Sequence, residues 1–148
     1  MIKRKNIIIL GSLLALVTAY LILTANSSPA ENKNVRLIMN GKSFNAEIVD
    51  NPQAREKGLG GRSSLCEDCG MLFVFEKRGE YPFWMKGMEF SIDIIWIDGR
   101  EIVYIAGSVP PESKEVIRPG VFADKVFEIS AGQAEKLNLK KGDKIDLK

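Results

Sequence analysis

The chain has no histidine. That removes the commonest general base and the commonest metal ligand. It has two cysteines, Cys66 and Cys69. Two thiols fall short of the four ligands of a structural zinc site, so zinc would have to be shared across a dimer. Repeats and low-complexity tracts are also missing, which leaves out solenoids and arrays. A surplus of charge is nearly missing as well. The chain carries +2, but Lys3, Arg4 and Lys5 precede a long apolar run; without them 18 basic residues face 19 acidic ones, a net of −1. The slight basicity is therefore a topology signal, and no nucleic-acid partner is expected.

The apolar run is Ile7 to Ala25, IIILGSLLALVTAYLILTA, nineteen residues without a charge. At about 1.5 Å per residue it reaches roughly 28 Å, close to the hydrocarbon thickness of a bilayer. Positive charge ahead of it places the rest of the chain outside the cytoplasm. Residues 1–25 are thus expected to be a single-pass membrane anchor. The rival is a signal peptide cleaved near Ser28 or Ala30, which would leave the protein secreted. The run is longer than the usual apolar segment of such peptides, about 7–15 residues. Residues 26–34 are polar and read as a tether. Residues 35–148 are enough for one domain with a core and too few for two.

Within that domain Asn40-Gly41 separates two apolar runs and signals a β-hairpin. Asp50-Asn51-Pro52 opens a short helix over Pro52 to Lys57, closed by Gly58. Further strands are predicted at Gly70 to Phe75, Tyr81 to Met85, Ser91 to Ile97, Glu101 to Ala106, Lys125 to Ile129 and Lys144 to Leu147. Glu76 to Glu80 reads as a charged turn. Pro110-Pro111 starts a long loop to about Asp124. A second helix follows Ser130, over Ala131 to about Leu137. The expectation is an α+β domain: a mainly antiparallel sheet, curled or a partial barrel, with hairpin connections and two short helices.

The chemistry-bearing residues concentrate between Cys66 and Ile97. In an extracytoplasmic compartment Cys66 and Cys69 default to a disulfide that staples a turn. A thioredoxin-like redox pair would sit at a helix start after a strand, whereas this pair precedes a strand. Phe83-Trp84-Met85-Lys86 reads either as core packing or as a pocket wall, an aromatic plate with a cation beside it and Gly87 allowing close approach. Asp93 lies among apolar residues whichever face it takes. It must be paired or hydrogen-bonded, as a structural ion pair or a cap on a neighbouring loop, or else serve as a general acid or base. Arg62, with Arg55 before it, flanks Gly58, Gly60 and Gly61, a combination that can hold an anion.

The segments Arg55-x-x-Gly58-Leu59-x-x-Arg62-x-x-Leu65, Gly70-Met71-Leu72-Phe73-Val74-Phe75, Phe83-Trp84-Met85-Lys86 and Asp93-Ile94-Ile95-x-Ile97-Asp98 resemble the family called domain of unknown function 192. Ser130-Ala131-Gly132-x-Ala134 and Lys141-Gly142-Asp143 fit it too. The resemblance covers nearly all of Val35 to Leu147. It implies a compact, β-rich α+β domain, often behind a signal or anchor segment, and it brings no established reaction or catalytic residues. Gly60 departs from the methionine usual in the family, and Cys66 and Cys69 from polar or proline residues. The cysteines are thereby marked as a subgroup's staple.

The expected function is a membrane-tethered extracytoplasmic domain that binds without turnover, through a pocket of Arg62, Trp84, Met85, Lys86 and Asp93. A small anion, an envelope component or a partner protein would fill it. One alternative is an enzyme on an envelope substrate with Asp93 as acid or base. A lesser one is a thiol redox role of Cys66 and Cys69. No cofactor and no metal are expected.

Overall fold

Asn40 and Gly41 both take positive φ, 43° and 82°, as a two-residue turn between right-twisted strands requires. They join β1 (Asn34–Met39) to β2 (Lys42–Val49), in register from Asn34↔Glu47 to Met39↔Lys42. The structure, a computed structural model, describes residues 33–111 and 113–148. The expected anchor, Ile7 to Ala25, lies outside the described residues. Among the described residues no helix is long and apolar enough to cross a membrane.

After β2 comes α1 (Pro52–Lys57), with proline in its first turn and the Asn51 side chain accepting from the Ala54 N–H at 2.9 Å. The chain then enters β3 (Cys69–Gly79), which runs parallel to β2 with Ala46 opposite Gly70. Hairpins cannot join parallel neighbours, so a crossover carrying α1 does. This is one departure from the all-hairpin expectation. A second is the length of β3. Glu76, Lys77 and Arg78, expected in a turn, continue the strand beyond the core with exposed side chains, and Arg78 pairs with Asp98 at 2.7 Å.

A third departure matters most for the site. Tyr81 to Met85, expected as a strand, is loop, with only a bridge between Phe83 and Ile117. Pro82 has no N–H to give to a ladder, and this aromatic run packs without one. Beyond it lie β4 (Ile92–Asp98), β5 (Glu101–Val109), β6 (Ala123–Ser130), α2 (Gln133–Lys136) and β7 (Ile145–Leu147). The order across the sheet is β5-β4-β6-β3-β2-β1-β7. The long loop after β5 lets β6 insert between β3 and β4.

The sheet curls into a half-barrel. Its first and last strands approach at a Glu101–Lys144 bridge, where Ile102 N–H donates to Asp143 and Gly142 N–H donates to Ile102. Curling buries both faces of the central strands. Ile95, Ile97, Phe127 and Ile129 join one cluster with Leu37 and Phe44. Ile92, Ile94, Trp96 and Val126 join a second with Phe73, Leu59 and Met85. That is why β4, IDIIWID, carries no alternation of polar and apolar residues.

Gly70 sits where β3 crosses the first cluster. A Cβ there would enter the Phe127 ring and come within 2.9 Å of the Glu128 carbonyl oxygen. Both obstacles are held in a central strand and cannot give way. Gly70→Ala is expected to lower the unfolding free energy by about 2–4 kcal/mol, measured by urea titration. An unchanged midpoint would show that β3 and β6 can separate at that point.

Candidate functional site

Asp93 is the most fully engaged polar side chain of the domain. It is 1% exposed. Its Oδ1 accepts from the N–H of Ser108 at 2.7 Å and of Gly132 at 3.1 Å, and its Oδ2 accepts from the N–H of Ala134 at 2.7 Å. One carboxylate therefore ties β4 to the end of β5 and to the first turn of α2. Three convergent donors satisfy the carboxyl oxygens, as a buried polar group requires.

The loop from Tyr81 to Met88 is pinned without a ladder. The Tyr81 carbonyl accepts from the buried Trp96 indole at 2.8 Å. Phe83 exchanges two backbone bonds with Ile117, at 3.1 and 2.8 Å. Gly61 N–H donates to the Gly87 carbonyl at 2.8 Å. Gly60 allows that last approach. A Cβ there would lie 2.9 Å from the Lys57 carbonyl oxygen and 3.4 Å from that of Lys86.

Between this loop and α1 opens a groove of about 410 Å³. Phe73 and Phe83 meet edge to face at 4.9 Å on its floor, and Phe75 stacks on Tyr81 at 3.5 Å. Arg55 lies over Phe75, 5.1 Å from the ring centre, and donates to the Val74 carbonyl at 2.7 Å. Lys57 and Lys86 line the groove and are exposed. So does Trp84, at 50% exposure.

Of the five residues expected to share a pocket, Trp84 and Lys86 line this groove. Met85, between them, turns inward and is 2% exposed in the second cluster. Arg62 pairs with Glu47 of β2 at 2.7 Å, away from the lining. Asp93 faces the other side of the sheet and makes no ion pair with Lys86. Cys66 and Cys69 are joined as a disulfide on the loop entering β3, with their Cα atoms 5.1 Å apart. Among the described residues no three thiol or acidic side chains gather where a metal ion could sit.

One lining residue escaped the sequence reading. Glu128 is 4% exposed, and its Oε2 is buried without a hydrogen-bond partner among the described residues. It stands between Met71 of β3 and Ile94 of β4, on the groove side of β6. Burial alone pushes its carboxyl from 4.5 up to about 8. The only sequence signal was a single acid in a strand with apolar neighbours, and that pattern also fits an edge strand with one wet face.

The DUF192 family profile, described as Uncharacterized ACR, matches residues 35–147. No curated protein matches the chain. Two solved structures are similar. One is a protein of Sinorhizobium meliloti 1021, described provisionally as a transcription regulator: TM-score 0.76, 25% identity, 81% of this chain and 98% of that one. The other is a protein of unknown function from Novosphingobium aromaticivorans DSM 12444: TM-score 0.72, 26% identity, 80% of this chain and 89% of that one.

The two acids should behave oppositely. Asp93→Ala leaves three N–H groups without an acceptor, that of Ala134 buried and those of Ser108 and Gly132 part-buried, and is expected to cost roughly 2–4 kcal/mol in a chemical unfolding experiment; a cost below 1 kcal/mol, on the order of an exposed side chain's, would contradict its role. For Glu128, both states hold the proton well below 4.5. From there to about 8 the unfolded chain has lost it and the folded chain keeps it. Stability therefore falls with rising pH across that window, by at most about 1.4 kcal/mol per pH unit, and levels off above it. Glu128→Gln should remove that component of the slope, read from unfolding midpoints across the window. Parallel slopes for the two proteins would contradict the assignment.

Proposed function

Since the chain belongs to the DUF192 family, whose description names no activity, we propose from the groove itself that this is a membrane-tethered extracytoplasmic domain that binds a small amphiphile without turning it over. The ligand's apolar body lies on Phe73, Phe83 and Trp84, and its anionic head meets Lys57 and Lys86. The carrying observation is Trp84, half exposed beside Lys86 on the wall of a groove of about 410 Å³. That volume falls within the range of small-molecule sites, about 300–1,000 Å³. Covering the open half of a tryptophan, about 100 Å² of aromatic surface, is worth about 2–3 kcal/mol. Trp84 draws no such return from the core while half of it stands in solvent, whereas Met85 beside it is buried.

The tether is supported by the charge-free run Ile7 to Ala25 behind Lys3, Arg4 and Lys5. The Cys66–Cys69 disulfide agrees with an oxidising compartment and with a staple on the loop before β3. Asp93 takes no part in this reading, since its oxygens serve three backbone donors. The regulator description of the Sinorhizobium protein is not carried over. Its transfer would call for attraction to phosphate, and 18 basic residues here face 19 acidic ones outside the first five positions.

An anionic anilinonaphthalene dye is a direct probe. The full-length chain should bind it with enhanced fluorescence, and Trp84→Ala and Lys86→Ala should each weaken binding about tenfold while leaving the unfolding midpoint nearly unchanged. Dye binding that is indifferent to both substitutions would overturn the groove as the site.

A further inference from the structure

Buried polar side chains are, as a rule, hydrogen-bonded, and an unpaired one costs about 1–3 kcal/mol. Glu128 breaks that rule on the floor of the groove, with a buried oxygen that meets no partner among the described residues. A purely structural position could hold leucine or methionine at no such cost. The two strands beside it offer Met71, Phe73, Ile92, Ile94 and Trp96 on that face, and the one donor among them, the Trp96 indole, is spent on the Tyr81 carbonyl. The charged and titratable groups facing the groove are Arg55, Glu56 and Lys57 from α1 and Lys86 and Tyr81 from the loop. Arg55 is spent on the Val74 carbonyl and the Phe75 ring. The two lysines point to solvent at the mouth.

We infer that Glu128 sets the specificity of the groove: its protonated carboxyl donates a hydrogen bond to an acceptor within the ligand's apolar body, selecting amphiphiles with an amide or ester carbonyl over plain-chain ones. This rests on the groove being a ligand site. A cationic ligand fits less well, because two lysines at the mouth outnumber Glu56. A plain hydrocarbon leaves the carboxyl unpaired. An internal carbonyl satisfies it and gains the selectivity that comes from pairing a buried polar group. With its carboxyl pushed up to about 8, Glu128 holds the proton to be donated at neutral pH.

The test compares N-dodecanoylglycine with tetradecanoate, both below their micelle thresholds, by calorimetric titration of the full-length chain. At about pH 6.5 the amide-bearing probe should bind about tenfold tighter, the worth of one hydrogen bond in a dry site. That preference should fade as the pH passes about 8. Glu128→Gln, which also donates, should keep a preference that no longer depends on pH. Glu128→Leu should still bind tetradecanoate and lose the preference. Equal affinities for the two probes in the wild type, or a preference that survives in Glu128→Leu, would overturn the inference and leave the groove standing. Failure of every variant to bind either probe would overturn the groove reading and the inference with it.

Discussion

A sheet curled until both faces are covered leaves its central strands nowhere to put a polar side chain except against a matched partner. This constraint governs the domain. β4 and β6 lie side by side in the middle, and each carries one buried acid. Asp93 stands opposite Ile129, and Glu128 opposite Ile94, so the two carboxyls leave opposite faces of neighbouring strands. Asp93 meets three convergent backbone donors and becomes the pin that holds β5 and α2 to the sheet. Glu128 meets none. The same burial that makes one acid a structural anchor makes the other an expense that folding alone does not explain.

The groove follows from what the chain could not do elsewhere. A parallel neighbour for β2 demanded a crossover, and that crossover placed α1 over the outer side of β3. Pro82 kept the next segment out of the sheet, so its aromatic side chains were free to stand as a wall facing α1. The Gly61–Gly87 bond and the Phe83–Ile117 bridge then fixed the separation of wall and helix. The cavity is the space between a crossover helix and an excluded strand, and its chemistry is inherited from both. Rings come from the loop and β3, and cations sit where each element turns towards solvent.

Much of this was legible from local signals. The Asn40-Gly41 hairpin, the Asn51-Pro52 helix start and the seats of β4, β6 and β7 all depend on contacts within a few residues. What failed was long-range. Nothing between Val49 and Cys69 states that β2 and β3 run parallel. Nothing near Lys125 states that β6 enters between β3 and β4, and that insertion is what buries Glu128. Trp84 and Lys86 share the groove wall because an exposed plate and a cation can be adjacent in sequence. Arg62 and Asp93 were grouped with them on proximity in the chain, whereas Arg62 reaches back to Glu47 and strand parity sends Asp93 to the other face. The alternation Phe73, Phe75 on β3 and Val126, Glu128 on β6 would have pointed to the floor once the pairing of those strands was known.

The bridge between Glu101 and Lys144 has a consequence for how the domain can meet other chains. A sheet with open sides invites a guest strand, which is a route both to specific peptide capture and to runaway stacking. Here the backbone groups of Arg100 and Ile102 are taken by the turn before β7, and β7 itself is only three residues long. The start of β5 therefore cannot template another strand. That closure guards against edge-to-edge pairing at this end of the strand and leaves recognition there to side chains.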